Sequence, residues 1–156
     1  MNSQDLISLT QKVVADSLKL SLAHVSEPSV KVNYACIFTH DLNEFEEMAR
    51  LAGKLGKVVQ ETTTGPVFYI SPISTAAGAL KILKIRRPDL KRPERGDADF
   101  TVPDYASFKA KYLGKHGFNV IVRPNMEMME LIDQSYDVLA YYSHPTLAEI
   151  LKLKID

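Results

Sequence analysis

Hydrophobic residues recur with the period of an α-helix near the start of the chain. Over residues 3–24, apolar side chains such as Leu6 and Val13 belong to one broad stripe, which predicts a helix with Ser3 as a candidate cap. This helix either pads the domain or forms a contact between two copies of the chain. Residues 26–29 read SEPS and predict a loop.

The pattern that follows occurs twice. Residues 32–59 and 95–122 each contain an apolar run, an Asp, a Phe four residues later, a helical stretch, a Gly and a second apolar run. Asp41 of the first copy matches Asp104 of the second, 63 residues further on (104 minus 41). The order strand, helix, strand is therefore predicted at the start of each half.

Candidate caps mark the two repeated helices. Asp41 and Asp104 precede helical stretches, and an Asp in this position accepts hydrogen bonds from free N–H groups of the first turn. Glu44, three residues after Asp41, predicts a capping box, and Gly56 predicts the end of that helix. In the second copy the residues predicted to face inward are Phe108, Tyr112 and Leu113, and the alternative stops are Gly114 and Gly117.

Further strands are predicted after each repeat, over residues 67–73, 79–87, 118–123, 126–133 and 136–143. The segment PDLKRPERG, which begins at residue 88, is the predicted linker. Residues 145–154 predict a closing helix with Pro145 in its first turn. We therefore predict an α+β fold in one compact domain, with an N-terminal helix in 1–30, βαβββ modules over 31–88 and 95–143, and a C-terminal helix in 144–156.

Composition narrows the range of functions. The hydrophobic fraction of 46% and the charged fraction of 24% are typical of a globular protein. The formal net charge is zero, so there is no overall electrostatic case for nucleic acid or a membrane surface. No apolar run approaches the roughly 20 residues that span a bilayer, and the N-terminus lacks the pattern of a signal peptide. Cys36 is the only cysteine, which excludes an intramolecular disulfide. We therefore expect a cytoplasmic protein that binds neither nucleic acid nor membrane.

The paired βαβββ plan resembles the vicinal oxygen chelate superfamily, which includes glyoxalase I, extradiol dioxygenases and the bleomycin-resistance proteins. The resemblance covers roughly residues 32–143, and it rests on the element order and on the openings FTHDL and TVPDY before the two helices. A ferredoxin-like α+β sandwich is the alternative, because it gives much of the same element order.

For metal-dependent members, the resemblance implies a His on the first strand and a Glu on the last strand of each module. The first-strand position lies seven residues before the capping Asp, which is Tyr34 in the first half and Asp97 in the second. The last-strand position falls near Lys84 in the first half. In the second half it is Glu130 if ELID closes the module, or near Tyr141 if the strands are counted strictly. Only Asp97 and Glu130 are suitable donors, and a divalent ion needs about three or more. We therefore expect no metal or other cofactor, with a divalent ion as the alternative.

Strand alternation predicts which side chains share a face of the sheet. If Tyr34 faces inward, Cys36 and Phe38 face inward too, and if Asp97 faces inward, so do Asp99 and Thr101. The residues predicted on one polar face are Tyr34, Lys84, Arg86, Asp97, Asp99 and either Glu130 or Glu127.

Two interpretations of this polar face follow. In the first, Lys84 and Arg86 pair with Asp97 and Asp99 across a solvated sheet, where each exposed pair contributes about 0–1 kcal/mol. In the second, the face is a polar cavity in which Lys84 and Arg86 hold a small anion. The other predicted ligand-binding residues are then Tyr34, Asp99 and Tyr141, and the candidate acids or bases are Asp97, Glu130 and Glu127.

Three functions are consistent with these patterns. The first is a metal-free binding protein for a small anionic molecule. The second is a lyase or isomerase that uses Asp97, Glu130 or Glu127, with or without a metal. The third is an interaction module that forms a homodimer through the N-terminal helix or the sheet edges.

Overall fold

The computed structural model describes residues 1–27 and 30–156, so the predicted loop over 26–29 lies partly outside the described residues. In order, the elements are α1 (Ser3–His24), β1 (Lys31–Phe38), α2 (Leu42–Leu55), β2 (Gly56–Thr62), β3 (Gly65–Thr75), β4 (Gly78–Arg86), β5 (Gly96–Thr101), α3 (Tyr105–Tyr112), β6 (Phe118–Arg123), β7 (Met126–Leu131), β8 (Val138–His144) and α4 (Leu147–Leu151). The predicted α+β class is confirmed, because the described residues form four helices and one mixed sheet of eight strands.

The eight strands lie in the order β2-β3-β4-β1-β5-β8-β7-β6. β1 pairs in parallel with β4, and β5 pairs in parallel with β8. The two first strands, β1 and β5, lie antiparallel at the centre of the sheet, where Cys36 is opposite Asp97 and Ala35 is opposite Ala98. This central pairing brings the first-strand residues of the two halves side by side.

Side-chain caps fix where the helices begin. Asn2, not the predicted Ser3, caps α1, and its side chain accepts from the backbone N of Asp5 at 2.9 Å. Asp41 caps α2 and Asp104 caps α3, as predicted. The capping box predicted at Glu44 is wrong, because its side chain accepts from the backbone N of His40 instead. The same carboxylate forms a two-bond ion pair with Arg95, and this pairing lowers the pKa of Glu44.

Glycines determine how the two repeated helices end. Gly56 ends α2, and a Cβ at this position would overlap the carbonyl oxygen of Tyr69 and approach Ile70 Cα to 2.6 Å. Helix α3 ends at Tyr112, before both predicted glycine stops. Leu113 is 41% exposed rather than facing inward, because it lies at the C-cap with an extended backbone and not in the helix.

One face of the sheet is covered by helices and holds the main core. Alternate residues of the central strands are fully buried there, among them Ala35, Ile37, Ala98 and Phe100. Helix α1 packs on this face through an apolar stripe and through small hydroxyl residues that allow close approach. Its Ser17 Oγ donates to the Leu139 carbonyl at 3.0 Å. The N-terminal helix therefore pads the domain.

The opposite face is partly covered by the C-terminal segment. Thr146 caps α4, so Pro145 lies before the helix and not in its first turn, as the sequence had predicted. Leu147 packs against Val67 and Ile82 on this face, and the Tyr69 hydroxyl donates to the Lys154 carbonyl at 2.6 Å. None of the helices in the described part of the chain is long and apolar enough to cross a bilayer.

Candidate functional site

A cavity of about 410 Å³ opens on the sheet face opposite α1. Its volume lies in the range of about 300–1,000 Å³ that is usual for small-molecule pockets. The central strands form its floor, the turn between β6 and β7 forms one side, and α4 contributes Leu147 and Ile150. The polar and charged side chains that line it include Tyr34, Cys36, Lys84, Arg86, Arg92, Asp97, Arg123 and Tyr141.

Five of the predicted site residues meet in this cavity, namely Tyr34, Lys84, Arg86, Asp97 and Tyr141. They come from four neighbouring strands, and strand alternation turns their side chains to the same face. Asp99 lies two residues after Asp97 on β5 and is 0% exposed. Glu130 accepts a hydrogen bond from Tyr141, which lines the cavity. Glu127 lies on the opposite face of the sheet.

The solvated face of paired charges is not found. Asp97 is only 6% exposed, and across residues 1–27 and 30–156 no ion pair includes Lys84, Asp97 or Asp99. The register explains this, because Cys36 lies between Lys84 on one side and Asp97 on the other. Two strand spacings separate the backbones of Lys84 and Asp97 by about 10 Å.

Asp97 is a buried carboxyl that faces the cavity. Among the described residues, its Oδ1 atom has no hydrogen-bond partner. Burial, assisted by the charge of Asp99, raises the pKa of Asp97 to about 8, although Lys84, Arg86 and Arg92 oppose the shift. At neutral pH Asp97 therefore holds its proton most of the time.

Asp99 is the second carboxyl of the pair. Its Oδ2 accepts from the Ser143 hydroxyl, and its Oδ1 has no partner among the described residues. Burial raises the pKa of Asp99 to about 7, against the hydrogen bond from Ser143. Alternate residues of one strand lie about 7 Å apart, so two negative charges at these positions would repel each other at low dielectric.

The cationic side of the cavity is held by contacts outside it. Arg86 Nη2 pairs with Asp89 at 3.2 Å, and its guanidinium lies 5.2 Å from the centre of the Phe38 ring. Arg86 Nε is buried and, within the described chain, has no partner.

Arg92 is fixed by a chain of contacts that reaches the sheet. Its Nη2 pairs with Glu130 Oε2 at 3.3 Å, and the same oxygen accepts from the Tyr141 hydroxyl at 2.7 Å. Sequence reasoning missed Arg92 and Arg123. Arg123 is the last residue of its strand and Arg92 lies in the predicted linker, so strand alternation does not place either side chain. The charge-rich composition of that linker was the only available signal.

The register of the second half identifies the residue that matches Lys84. Cys36 pairs with Lys84 in the first half, and Asp99 pairs with Tyr141 in the second. Because Asp99 lies 63 residues after Cys36 (99 minus 36), Tyr141 on β8 matches Lys84 on β4. Glu130, the other alternative, lies on β7 opposite Tyr141.

Glu127 does not belong to this cavity. It alternates with Met126 and Met128, which line the cavity, and so it points to the helical face of the sheet. There it accepts from the Tyr105 hydroxyl at 2.7 Å and from Lys109 Nζ at 3.0 Å. These two partners, Tyr105 first, lower the pKa of Glu127.

The side chains at the positions implied by the resemblance to the vicinal oxygen chelate superfamily do not fit a site for a divalent ion. Those positions hold Tyr34, Lys84, Asp97 and Tyr141, of which only Asp97 is an ordinary ligand for a divalent ion. In the part of the chain that the structure describes, no group of three or more His, Cys, Asp or Glu side chains is placed to hold a metal ion.

Among comparisons with known proteins, the search of solved structures gives a similar fold. No protein-family model matches the chain, and no curated protein matches it. The chain is similar to a solved structural-genomics protein called EC4020, with a TM-score of 0.73 and 16% sequence identity. The match covers 96% of this chain and 91% of that chain. At this identity, the likeness shows that the fold is shared and nothing more.

Proposed function

We propose that the protein binds a small anionic molecule in the cavity, through Lys84, Arg86 and Arg92 and without a metal ion. The observation that carries the proposal is a pair of buried polar atoms without partners among the described residues, Arg86 Nε and Asp97 Oδ1. Both belong to residues that line the same cavity. A buried polar atom without a partner costs about 1–3 kcal/mol, and a ligand with oxygen atoms would satisfy both.

We propose that residues 31–88 and 95–143 are two βαβββ modules of the vicinal oxygen chelate type, which makes this a glyoxalase-like protein. The element order β1-α2-β2-β3-β4 followed by β5-α3-β6-β7-β8 supports it. So does the pairing of the first strand with the last strand in each half. Lys84 supports a difference from the metal-dependent members of that superfamily, because a cationic side chain stands where those members have a metal ligand.

Substitution of the cationic wall tests the binding function. Lys84→Met and Arg86→Met should each weaken the binding of an anionic ligand by about 1–3 kcal/mol, the scale of a charged hydrogen bond. Candidate ligands would be small carboxylates and phosphates, screened by thermal shift and then measured by calorimetry. Lys81→Met is the matched control, because Lys81 lies on the same strand but outside this cavity. Unchanged affinity in both cavity variants would refute the proposal.

A lyase or isomerase is the second candidate, and the protonation of Asp97 favours it. General acid–base catalysis is most effective when the pKa of the catalytic group lies near the working pH, and burial raises the pKa of Asp97 to about 8. Exchange of ligand protons for deuterium, followed by NMR in heavy water, would distinguish this activity from simple binding. Exchange that disappears in Asp97→Asn would assign an enzyme, and no exchange would leave a binding protein.

The predicted homodimer would be measured by light scattering.

A further inference from the structure

The floor of the cavity contains an acidic group that a simple anion site would exclude. Asp97 lies beside Cys36 on the central pair of strands, and its carboxyl has no ion-pair partner in the described chain. A permanent negative charge at this point would repel an incoming anion. The same carboxyl in its neutral form carries an O–H, which donates a hydrogen bond to an anionic oxygen.

We propose, building on the anion-binding function above, that Asp97 acts as a neutral carboxylic acid that donates a hydrogen bond to the ligand. The site would then select small molecules with two oxygen-bearing groups. One group is an anion for the cationic wall, and the other is an acceptor for Asp97. Small dicarboxylates and oxo-carboxylates have this chemistry, whereas a simple monocarboxylate lacks the second acceptor.

The neighbours of Asp97 keep it in the neutral form. On its own strand, Asp99 adds a second buried carboxyl on the same face. On β1, Tyr34 is partly buried and Cys36 is buried. Burial raises the pKa of both groups, so neither adds a negative charge beside Asp97 at neutral pH. On β8, the Tyr141 hydroxyl keeps its proton and donates a hydrogen bond to Glu130.

The cations oppose this effect but do not overcome it. Lys84 and Arg86 on β4 and Arg92 in the linker all favour the ionised form of Asp97, yet burial outweighs them. None of the three forms an ion pair with Asp97 in the described chain. A bound anion adds negative charge near Asp97, and this charge holds the proton more firmly.

The size and the other walls of the cavity are consistent with this ligand class. Met126, Met128 and Leu147 contribute apolar surface, which suits a short carbon chain between two polar ends. Succinate and butyrate are suitable probes, because both have four carbons and only succinate carries the second carboxylate. Both are almost fully ionised at about pH 7 and above, so their own charge stays nearly constant in the test.

Calorimetric titration at about pH 7 and about pH 9 gives the first test. With a pKa of about 8 for Asp97, the neutral fraction falls by about tenfold over this range, and the dissociation constant of succinate should rise by about the same factor. Titration at the higher pH in two buffers of different ionisation enthalpy should also show proton uptake on binding. Equal affinity at the two pH values, or no proton uptake, would overturn the inference.

Two substitutions separate hydrogen bonding from charge. Asp97→Asn keeps a neutral donor and should bind succinate equally well at both pH values. Asp97→Leu is neutral but cannot donate, and it should bind succinate about tenfold or more weakly, with no such difference for butyrate. If Asp97→Leu binds succinate as well as Asp97→Asn does, Asp97 acts through charge alone and the inference fails. Absence of succinate binding to the wild-type chain would also overturn it. Binding of another anion that Lys84→Met weakens would still leave the proposed function standing.

Discussion

The burial of Asp97 predicts an unusual dependence of stability on pH. Its pKa is raised in the folded protein to about 8, from an ordinary value of 3.8. A raised pKa means that the folded state binds the proton more tightly than the unfolded state. The contribution of this proton to the unfolding free energy is therefore complete below the ordinary pKa of 3.8, and it is lost as the pH rises through the folded-state pKa of about 8.

The magnitude follows from proton linkage. In the window between the two pKa values, each pH unit costs up to about 1.4 kcal/mol of unfolding free energy for one such group. Between about pH 6 and about pH 8, Asp97 alone should therefore remove about 2 kcal/mol from the stability of the wild-type protein. The raised pKa of Asp99 acts in the same direction. Asp97→Asn has no proton to lose and should lack the contribution of Asp97.

Urea unfolding at these two pH values measures the effect. The measured quantity is the loss of unfolding free energy between the two pH values, compared between wild type and Asp97→Asn. Contributions that the two proteins share cancel in this comparison. Asp137→Asn is the control, since Asp137 is exposed, and it should behave like wild type. Equal losses in wild type and Asp97→Asn would refute the argument that burial keeps this carboxyl neutral.

Two further predictions concern the backbone and the metal content. Gly56→Ala should destabilise the protein by about 2–4 kcal/mol, because its Cβ would meet backbone atoms of Tyr69 and Ile70 that cannot rotate away. Gly53→Ala is the matched helical control; nothing lies within 4 Å of its added Cβ, so thermal unfolding should show a gain of up to about 1 kcal/mol. Elemental analysis of untagged protein should find well under one equivalent of divalent metal, and a near-stoichiometric amount would contradict the assignment of Lys84 to a metal-free site.

Local periodicity explains what could be predicted from sequence. Alternation along one strand is independent of the rest of the chain, so Lys84 and Arg86 could be placed on one face before the fold was known. The central strands followed the same rule, since Ala98 and Phe100 lie in the helix-covered core. The predicted place of Glu127 in the cavity is wrong. The sequence alone does not show which residues of β7 face the cavity, because that depends on how β7 pairs with β8.

The remaining features depend on contacts between distant residues. The burial of Asp97 depends on β1 and β8, which flank its strand only in the fold. Whether Glu130 or Tyr141 matches Lys84 depends on the number of strands in the second half. That number depends in turn on whether residues 132–137 form a turn. Arg92 reaches Glu130 across 38 positions of the chain, and no periodic pattern in a Pro-rich linker predicts such a contact.

Strand β8 lies between helix α1 on one face of the sheet and the cavity on the other. On the helical face, α1 contacts it twice, through Ser17 to the Leu139 carbonyl and through Ser21 to the Tyr142 hydroxyl at 2.6 Å. Tyr141 lies next to Tyr142 and lines the cavity on the other face. The N-terminal helix, which lies outside the repeated pattern, therefore supports the strand that carries Tyr141 into the cavity. A fusion partner or antibody that displaces this helix would therefore disturb the proposed ligand site from behind the sheet, without entering the cavity.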